Sequence, residues 1–548
     1  METKKEIHLS KAGTLKQFIT DQEKDDVTHL KISGYINSKD FDVLDYMCTS
    51  WGINDDDDNY IMYEDEPPFL KVLDLGNCII KGRPVLGEFA YHSKLEEIIL
   101  PKNLISTGDC EVFCDSVFLE KVIFPDTLKE IGYGTFTSCE KLQNVELPKN
   151  LERIGSIAFS GCENLKSIKI PENVTQIEDS AFAYCYNIEK FELDEQNSHF
   201  SIIDGVLFNR DKTKLVSFPC GSKNKNYIVP DGVKIIGDGS FRGSKIENVF
   251  LPSSLEKIEG WAFYGCDNLR MIDIPDSVTE IGDLAFVFCK SLIKVRLSKK
   301  LKRLKEQVFG SCNSLTEIEI PPSVKVIEKS ALSGTKNLEN LILHNGLIEL
   351  NDDLKYTKIK KLYIPKTVKK IESGLAILRR SKANRFEIEV DGKNPYFCTI
   401  DGSLYSKDKT RMIAVFPNQN KTFVVPTGVQ MIERFVFAEL DLEQVILPDS
   451  LTTIGHRCFK NCKKLKEIRL PKSLTHLDFW AFEDCGKLEK LEILAAIPPE
   501  ITDPYASNWK FLKDVKKVVL YVPNESLEKY KNTKGWEDIK RIEGVDYD

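Results

Sequence analysis

Long hydrophobic runs are missing from this sequence. Of its 548 residues 42% are hydrophobic and 29% are charged, and no run approaches the roughly 18 apolar residues that a membrane-spanning helix needs. The sequence therefore predicts no membrane span. The amino end, Met1 to Thr14, also has no apolar segment and no small-residue cleavage site of the kind found in signal peptides, so we expect no export signal there.

An excess of basic charge is missing as well. The formal net charge is -8 at pH 7, and lysine and arginine form no basic stripe along any segment. Proteins that bind nucleic acid neutralise phosphates with clustered basic side chains. We therefore expect no nucleic-acid partner.

Catalytic and metal-binding motifs are absent too. The seven histidines are scattered without the paired spacing of a zinc site, and there is no glycine-rich phosphate loop and no nucleophile elbow. The acidic run Asp55 to Asp58 lacks the spaced ligands and the glycine of a calcium loop, and we interpret it as a solvated loop. The sequence predicts no catalytic residue, no metal site, no cofactor and no enzyme activity.

A tandem repeat is what the sequence does contain. A Phe followed three residues later by a Cys recurs in runs with a spacing of 23 residues, as at Phe136, Phe159 and Phe182 with Cys139, Cys162 and Cys185 and again at Phe263, Phe286 and Phe309 with Cys266, Cys289 and Cys312. Each unit also contains an apolar L-x-x-I-x-I pattern. A fixed period between 20 and 29 residues with this pattern is typical of a leucine-rich solenoid.

One unit, from Leu165 to Asn187, predicts the local structure of a coil. Alternating apolar residues from Leu165 to Ile170 predict a short strand, and Pro171 ends it because proline cannot extend a ladder. Val174 and Ile177 predict a second extended segment, and Ala181 to Tyr184 fit a brief helical turn. Successive coils should then stack their strands in parallel and their phenylalanines in a column.

Most of the 15 cysteines occupy one position of this repeat. Equivalent residues in stacked strands lie about 4.8 Å apart, which exceeds the Cβ separation of about 3.8 Å in a disulfide. We therefore expect a row of free, buried thiols. A metal or redox role is the alternative, but a straight row does not converge on a tetrahedral ligand set.

The period divides the chain into three predicted parts. Residues 1–93 predict an amino-terminal cap with irregular, helix-containing repeats, and residues 94–494 carry repeats of about 23 residues. Two longer units, near 199–226 and 396–421, predict β-hairpins that project from the solenoid. Residues 495–548 predict a carboxyl-terminal cap, with its aromatic residues Trp509, Tyr521, Tyr530 and Trp536 interpreted as cap core.

The candidate binding surface follows from the alternation in each first strand. The residues on either side of the central apolar residue point away from the core, so stacked coils align them in two columns. Most members of these columns are charged, but seven are large and apolar. Four of the seven form two neighbouring pairs, and two basic residues lie between these pairs in sequence. These candidate protein-binding residues are Phe250, Met271, Lys294, Arg296, Ile342 and Tyr363. Scattered exposed apolar residues, which are ordinary on protein surfaces, are the alternative interpretation.

These features together resemble one known family. The units I-P-x-x-V-x-x-I-x-x-x-A-F-x-x-C-x-N-L-x-x-I, the two D-G-x-L-x-x-x-D-K-T segments, the opening G-T-L and the closing G-W-E-D-I are similar to the BspA-type leucine-rich-repeat family. The resemblance covers essentially the whole chain. It implies an α/β, β-rich fold, namely a right-handed curved solenoid with a parallel β-sheet on its concave face.

The resemblance also implies a function. Members of this family are bacterial surface or secreted proteins, so a noncatalytic scaffold for adhesion is expected, with a protein or cell-surface ligand held by the concave face and the hairpins. An intracellular scaffold or regulator in the cytoplasm is the alternative, because the chain shows no export signal and its cysteines are expected to be reduced. The sequence does not predict an oligomeric state.

Overall fold

The structure is a computed structural model. It describes residues 2–48, 51–53, 60–62, 70–83, 85–86, 93–352, 354–372, 386–416, 421–478, 480–502, 518–536, 539 and 541–547, and in 51–53 and 60–62 it describes the backbone alone. The chain divides into two compact structural units, which we call unit 1 (Met1–Ser298) and unit 2 (Lys299–Asp548). The acidic run Asp55 to Asp58, Trp509 and part of the second insertion lie outside the described residues.

Each unit is a stack of coils in which most strands fall into two rows. The first row holds the strands of the L-x-x-I-x-I pattern, which pair in parallel within each of the sheets. In unit 1 its members are β1 (Lys4–Leu9), β2 (His29–Ile36), β5 (Val72–Ile80), β6 (Glu97–Ile99), β7 (Lys121–Ile123), β10 (Ile168–Ile170), β12 (Phe191–Leu193), β16 (Asn226–Ile228), β18 (Asn248–Phe250), β20 (Met271–Asp273) and β22 (Lys294–Arg296). In unit 2 they are β24 (Glu317–Glu319), β26 (Asn340–Ile342), β28 (Lys361–Ile364), β30 (Glu387–Val390), β34 (Thr422–Val424), β36 (Gln444–Ile446), β38 (Glu467–Leu470), β40 (Lys490–Ile493), β42 (Val519–Pro523) and β43 (Ile542–Val545).

The second row holds the shorter strands that follow the corner proline, and these also pair in parallel. In unit 1 they are β8 (Glu130–Ile131), β9 (Arg153–Ile154), β11 (Gln176–Ile177), β17 (Ile235–Ile236), β19 (Lys257–Ile258) and β21 (Glu280–Ile281). In unit 2 they are β23 (Arg303–Leu304), β25 (Val326–Ile327), β27 (Glu349–Leu350), β29 (Lys370–Ile371), β35 (Met431–Ile432), β37 (Thr453–Ile454), β39 (His476–Asp478) and β41 (Glu500–Thr502). A separate antiparallel pair is formed by β3 (Trp51–Ile53) and β4 (Tyr60–Met62).

Helices are few among the described residues. They are α1 (Asp21–Asp26), α2 (Ser38–Cys48) and α3 (Leu527–Lys531), with short 3-10 segments at Leu15–Gln17 and Asn524–Ser526. The predicted β-rich solenoid of stacked parallel strands is therefore confirmed.

The two insertions are antiparallel, as predicted, and their last strands join the second row, while their projection from the solenoid stays a prediction. In the first, β13 (Phe200–Ile203) pairs with β14 (Val206–Asn209) and β14 pairs with β15 (Lys214–Ser217). Strand β15 then pairs in parallel with β17, so the insertion extends the second row. The second insertion repeats this order with β31 (Phe397–Ile400), β32 (Ser403–Ser406) and β33 (Arg411–Ala414), and β33 joins β35.

Burial explains why the insertions lie within the sheet. Val206, Leu207 and Phe208 on β14 are all buried, and since successive side chains of a strand point to opposite faces, both faces of β14 are covered. A projecting hairpin would leave one face of such apolar residues in water, which costs about 25 cal/mol for each Å² exposed.

The predicted helical turn at Ala181 to Tyr184 is wrong. Ser180 and Tyr184 have φ values of 56° and 58°, whereas an α-helix needs negative φ throughout. The backbone of this turn instead bonds from coil to coil, with Phe159 N–H donating to Ala181 C=O at 2.9 Å and Gly161 N–H donating to Ala183 C=O at 2.8 Å. The turn is therefore a third ladder of hydrogen bonds between coils.

The phenylalanine column is the core of the stack, as predicted. Phe136, Phe159 and Phe182 are buried, and adjacent rings lie nearly parallel with centroids 5.3 and 5.8 Å apart. Phe241, Phe263 and Phe286 form a tighter run, at 4.8 and 5.0 Å. Since each ring is sandwiched between the rings of neighbouring coils, a single coil has no closed core of its own.

The cysteines are free, and most are buried, as predicted. Their position has a further role that the sequence did not reveal. Thiols at the repeat position donate to the carbonyl oxygen of the phenylalanine one coil earlier, as Cys162 does to Phe136 at 3.2 Å and Cys185 does to Phe159 at 3.1 Å. The thiols are thus second donors to buried carbonyl groups that also accept a backbone N–H, as the Phe136 carbonyl does from Cys139 at 3.2 Å. Burial raises the pKa of the Cys162 thiol well above its usual value.

The ends of the chain pack through buried polar contacts. Asp40 is buried and accepts hydrogen bonds from the backbone N–H groups of Gly13, Leu15 and Asn37 at 2.6, 2.9 and 3.0 Å. Near the carboxyl end Tyr530 and Trp536 are fully buried, and Trp536 Nε1 donates to Pro499 C=O at 2.8 Å. These two aromatic residues are core, as we interpreted them, while the predicted cap boundaries at residues 93 and 495 stay predictions.

Candidate functional site: the outward face of the first-row strands

The outward face of the first row is built by strand alternation. In β10 Ile168 and Ile170 are buried while Lys169 between them is exposed. The same alternation recurs in β20, β22, β24 and β26, where a buried central residue lies between two exposed ones. Parallel pairing then aligns equivalent residues of neighbouring coils, with Met271 opposite Lys294 and Asp273 opposite Arg296. Within each of these sheets the outward residues therefore align in two columns, in the predicted register.

Ion pairs between neighbouring coils neutralise much of this face. Lys121 contacts Glu97 at 2.7 Å, Lys169 contacts Asp194 at 2.9 Å, and in unit 2 Lys361 contacts Glu389 at 2.8 Å. The hydrogen bond to Glu389 raises the pKa of Lys361 above its usual value. Exposed pairs of this kind contribute little to stability, but they leave few charges free to meet a partner.

The six predicted site residues fall in both units. Phe250, Met271, Lys294 and Arg296 belong to unit 1, and Ile342 and Tyr363 belong to unit 2. All four apolar residues are exposed.

The two basic residues of the predicted site differ in their contacts. Arg296 forms ion pairs with Asp273 and with Asp276, the latter at 3.1 Å, so its charge is already matched within the face. Lys294 has no ion-pair partner among the described residues. Lys294 is therefore the basic group of this site that is available to an acidic group of a ligand.

In unit 2 the hydroxyl group of Tyr363 is occupied. It donates to Asp391 Oδ2 at 2.8 Å, and this hydrogen bond raises the pKa of Tyr363. The ring of Tyr363 is left as an apolar surface whose polar end is fixed in place.

An exposed apolar residue that the sequence analysis missed completes a cluster in unit 1. Ile228 is registered opposite Phe250 on the adjacent strand. Ile228, Phe250 and Met271 are 73%, 55% and 52% exposed, respectively, and we call these three residues the apolar patch. Amide groups border it, since Asn248 Nδ2 donates to Asn226 Oδ1 at 2.7 Å. The signal was present in the strand Tyr-Ile-Val-Pro, where alternation turns Tyr227 inward and Ile228 outward.

A matching pair occurs in unit 2 after the second insertion. Val424 is registered opposite Ile446, and the two side chains are 60% and 45% exposed. Val424 was missed for the same reason as Ile228, because both strands follow an insertion and were left out of the predicted columns.

Other kinds of site were sought in the described part of the chain. There, no group of three or more histidine, cysteine, aspartate or glutamate side chains is arranged to hold a metal ion. Across the same residues, no helix combines the length and the apolar character that crossing a membrane requires.

Stacked coils with two rows of parallel strands and a repeated leucine-rich pattern define a leucine-rich-repeat protein. The sequence model of the BspA type leucine rich repeat region matches residues 87–213, 216–320, 266–376 and 416–520, in six copies. Since these segments cover more than half of the chain, the protein belongs to the BspA-type leucine-rich-repeat family, as the sequence predicted.

Several solved structures are similar to this chain. A leucine-rich repeat protein from Eubacterium ventriosum is 21% identical, with a match that covers 56% of this chain and 82% of that one at a TM-score of 0.49. One from Bacteroides ovatus is 24% identical and covers 72% and 88% at 0.40. A leucine rich cell surface protein from Faecalibacterium prausnitzii is 20% identical and covers 64% and 95% at 0.46. A comparison with curated proteins gave no match.

Proposed function

We propose that this protein is a noncatalytic binding scaffold that holds a protein or cell-surface partner against the outward face of its first-row strands. The observation that carries the proposal is the apolar patch. Three large apolar side chains on neighbouring strands are more than half exposed, and they stabilise no core. Such clusters are typical of the central contacts of protein interfaces.

The surroundings of the patch support a protein ligand. Paired charges and amide groups border it, as at the rim of many interfaces, and Lys294 adds one unmatched positive charge. In unit 2 Ile342 and Tyr363 are the corresponding candidate contacts, and the exposed tip of the first insertion at Asp211 and Lys212 is a further one. Membership of the BspA-type family supports a location at the cell surface or outside the cell.

The test measures binding of the labelled full-length chain to whole cells and to a panel of immobilised extracellular proteins. The variants are Phe250→Asp and Met271→Asp in unit 1 and Tyr363→Asp in unit 2. Each variant puts a charge into the face without removing a buried group, so we expect normal folding. The variants in the unit that holds the partner should lower the affinity for that partner at least tenfold.

Tyr133→Asp is the matched control. Tyr133 is also an exposed aromatic residue, but it lies in the turn after the second-row strand β8, so its variant should bind as the parent does. If a partner is found and all three face variants bind it with the parent's affinity, the outward face is not the binding surface.

A further inference from the structure

Five side chains on the third ladder of unit 1 form a strip outside the core. They are Tyr184, Arg242, Trp261, Tyr264 and Phe288, and we call them the aromatic strip. Their four coils stack directly on one another, since Tyr184 N–H donates to Arg242 C=O at 3.4 Å, Gly243 N–H donates to Tyr264 C=O at 2.9 Å and Gly265 N–H donates to Val287 C=O at 2.8 Å. Each side chain of the strip is at least partly exposed, and Phe288 is 39% exposed.

The side chains of the strip contact one another from coil to coil. The guanidinium carbon of Arg242 lies 5.6, 4.7 and 5.0 Å from the ring centroids of Tyr184, Trp261 and Tyr264. The rings of Trp261 and Tyr264 lie 4.9 Å apart, and Phe288 meets Tyr264 edge to face at 5.4 Å. The strip is therefore one continuous surface with a guanidinium group among its rings, and it crosses three intervals of about 4.8 Å between coils.

The repeat itself does not require these rings. Tyr184 and Phe288 occupy the position two residues after a column phenylalanine, with φ values of 58° and 59°, a region of backbone conformation that bulky residues seldom adopt. Other coils hold a small or polar residue at this position, namely Ser138, Gly161, Ser311 and Asn461. The adjacent coil is also adapted to the ring of Tyr184, because a Cβ atom at Gly243 would lie only 2.2 Å from it. Stacking of the coils therefore does not account for the strip.

The charge of Arg242 has no ion-pair partner among the described residues. Its Nη1 donates to Ser180 Oγ at 3.4 Å, and the Asp238 carboxyl is near enough to interact with it without forming an ion pair. In unit 2, by contrast, Arg457 lies over the ring of Trp480 at 5.5 Å but is paired with Glu483 at 2.5 Å. Since a guanidinium group is suited to bind a carboxylate through two parallel hydrogen bonds, Arg242 is available to an acidic ligand.

We propose that the aromatic strip binds an acidic oligosaccharide, with a sugar carboxylate held by Arg242. A pyranose ring presents a flat patch of C–H groups that packs on an aromatic face, and its hydroxyl groups pair with polar atoms at the edge of the site. Trp261, Tyr264 and Phe288 supply the faces, and the hydroxyl groups of Ser180 and Tyr184 supply polar atoms beside the guanidinium. An acidic peptide offers the carboxylate without the sugar ring. This site lies on the third ladder, so it is separate from the outward face of the first row.

Three acidic oligosaccharides serve as probes, namely tetragalacturonate, a hyaluronan tetrasaccharide and a sialic acid tetramer. Their binding to the full chain is measured by titration calorimetry, and at least one should bind with a Kd below about 1 mM. The methyl ester of that probe keeps the sugar rings and loses the charge, whereas tetraglutamate keeps carboxylates and has no sugar ring. Each of these two compounds should bind at least tenfold more weakly than the acidic probe.

Two variants test the strip itself. Phe288→Ser removes a ring and introduces the residue that other coils carry at this position, so the fold should be kept, and Arg242→Gln removes the charge. Each should lower the affinity for the acidic probe at least tenfold. The matched controls are Tyr133→Ser, at an exposed tyrosine two coils before the strip, and Arg270→Gln, at an exposed arginine outside it. Both controls should bind as the parent does, and thermal melting checks that every variant is folded.

Several results would overturn the proposal. If none of the three acidic oligosaccharides binds the parent chain, the strip is not a site for this class of ligand. If the methyl ester or tetraglutamate binds as tightly as the acidic probe, the carboxylate or the sugar ring is not recognised, and this comparison does not depend on the folding of any variant. If folded Phe288→Ser or folded Arg242→Gln binds with the parent's affinity, the oligosaccharide lies elsewhere on the protein.

Discussion

Replacing Phe159 by alanine tests the central physical feature of this fold, the column of stacked rings. Phe159 is fully buried between Phe136 and Phe182, with nearly parallel rings at 5.3 and 5.8 Å. The substitution removes a large core side chain and both ring contacts at once.

The expected cost follows from these contacts. Burial and cavity terms for Phe→Ala amount to about 3–5 kcal/mol, and a stacked aromatic pair adds about 0.5–1.5 kcal/mol beyond its buried area. Because Phe159 loses two such pairs, we expect a value in the upper part of the range, about 4–5 kcal/mol. Phe182→Ala, at a ring that stacks on Phe159 and packs against Phe191 at 5.3 Å, should cost about 3–5 kcal/mol.

Amide hydrogen exchange read by mass spectrometry is the suitable assay, since repeat arrays need not unfold in one step. For amides that join the coil of Phe159 to its neighbours, such as those of Phe159 and Gly161, the free energy of opening should fall by this amount. Tyr133→Ala, at an exposed aromatic residue, should change it by no more than about 0.5 kcal/mol. A loss below about 1 kcal/mol for Phe159→Ala would refute the reasoning, because the column would then not hold the coils together.

Three further predictions concern polar groups. Cys162→Ala should cost about 0.5–1.5 kcal/mol in urea unfolding, because it removes the thiol bond to the buried Phe136 carbonyl, which keeps the backbone N–H of Cys139 as a donor, and Cys162→Ser should cost less. In the native chain a thiol reagent should label exposed Cys110 first, while Cys162 should react only on unfolding, and equal rates would contradict its burial. Burial and, after it, the Asp179 carboxylate raise the pKa of Asp238 to about 7. The folded state thus prefers the protonated form, and stability from this group is lost as the pH rises from about 4 to about 7. Asp238→Asn should therefore raise the melting temperature at pH 8 and change it little at pH 4. The gain in the free energy of unfolding at pH 8 should be about 1–2 kcal/mol at most, since Asp238 is half-buried and solvent screens its charge. An equal effect at both pH values would contradict this assignment.

The strand rows and their register could be predicted from the sequence. Alternation in a strand depends only on the local backbone, so residues such as Lys169 and Met271 could be placed outward before any partner strand was known. The constant period then fixes which residues of successive coils align, as the pairing of Met271 with Lys294 shows. The buried phenylalanine column follows from the same period.

Other features depend on contacts between distant residues. Whether Arg296 is free for a ligand depends on Asp273 and Asp276, which approach it only in the stacked fold. The predicted helical turn failed because hydrogen bonds between coils, which are not local, hold Ser180 and Tyr184 at positive φ. The thiol-to-carbonyl bonds likewise join residues 25 or 26 positions apart.

The candidate site itself combines both kinds of information. Sequence alone determined that this chain is a stack of leucine-rich coils and that Phe250 and Met271 face outward, because a fixed period and strand alternation need no knowledge of tertiary contacts. Only the tertiary structure decided that Ile228 lies opposite Phe250 and Val424 opposite Ile446. That outcome depends on which row each strand near an insertion joins, and hydrogen bonds between strands decide it, since β15 pairs with β17 in the second row while β16 pairs with β18 in the first.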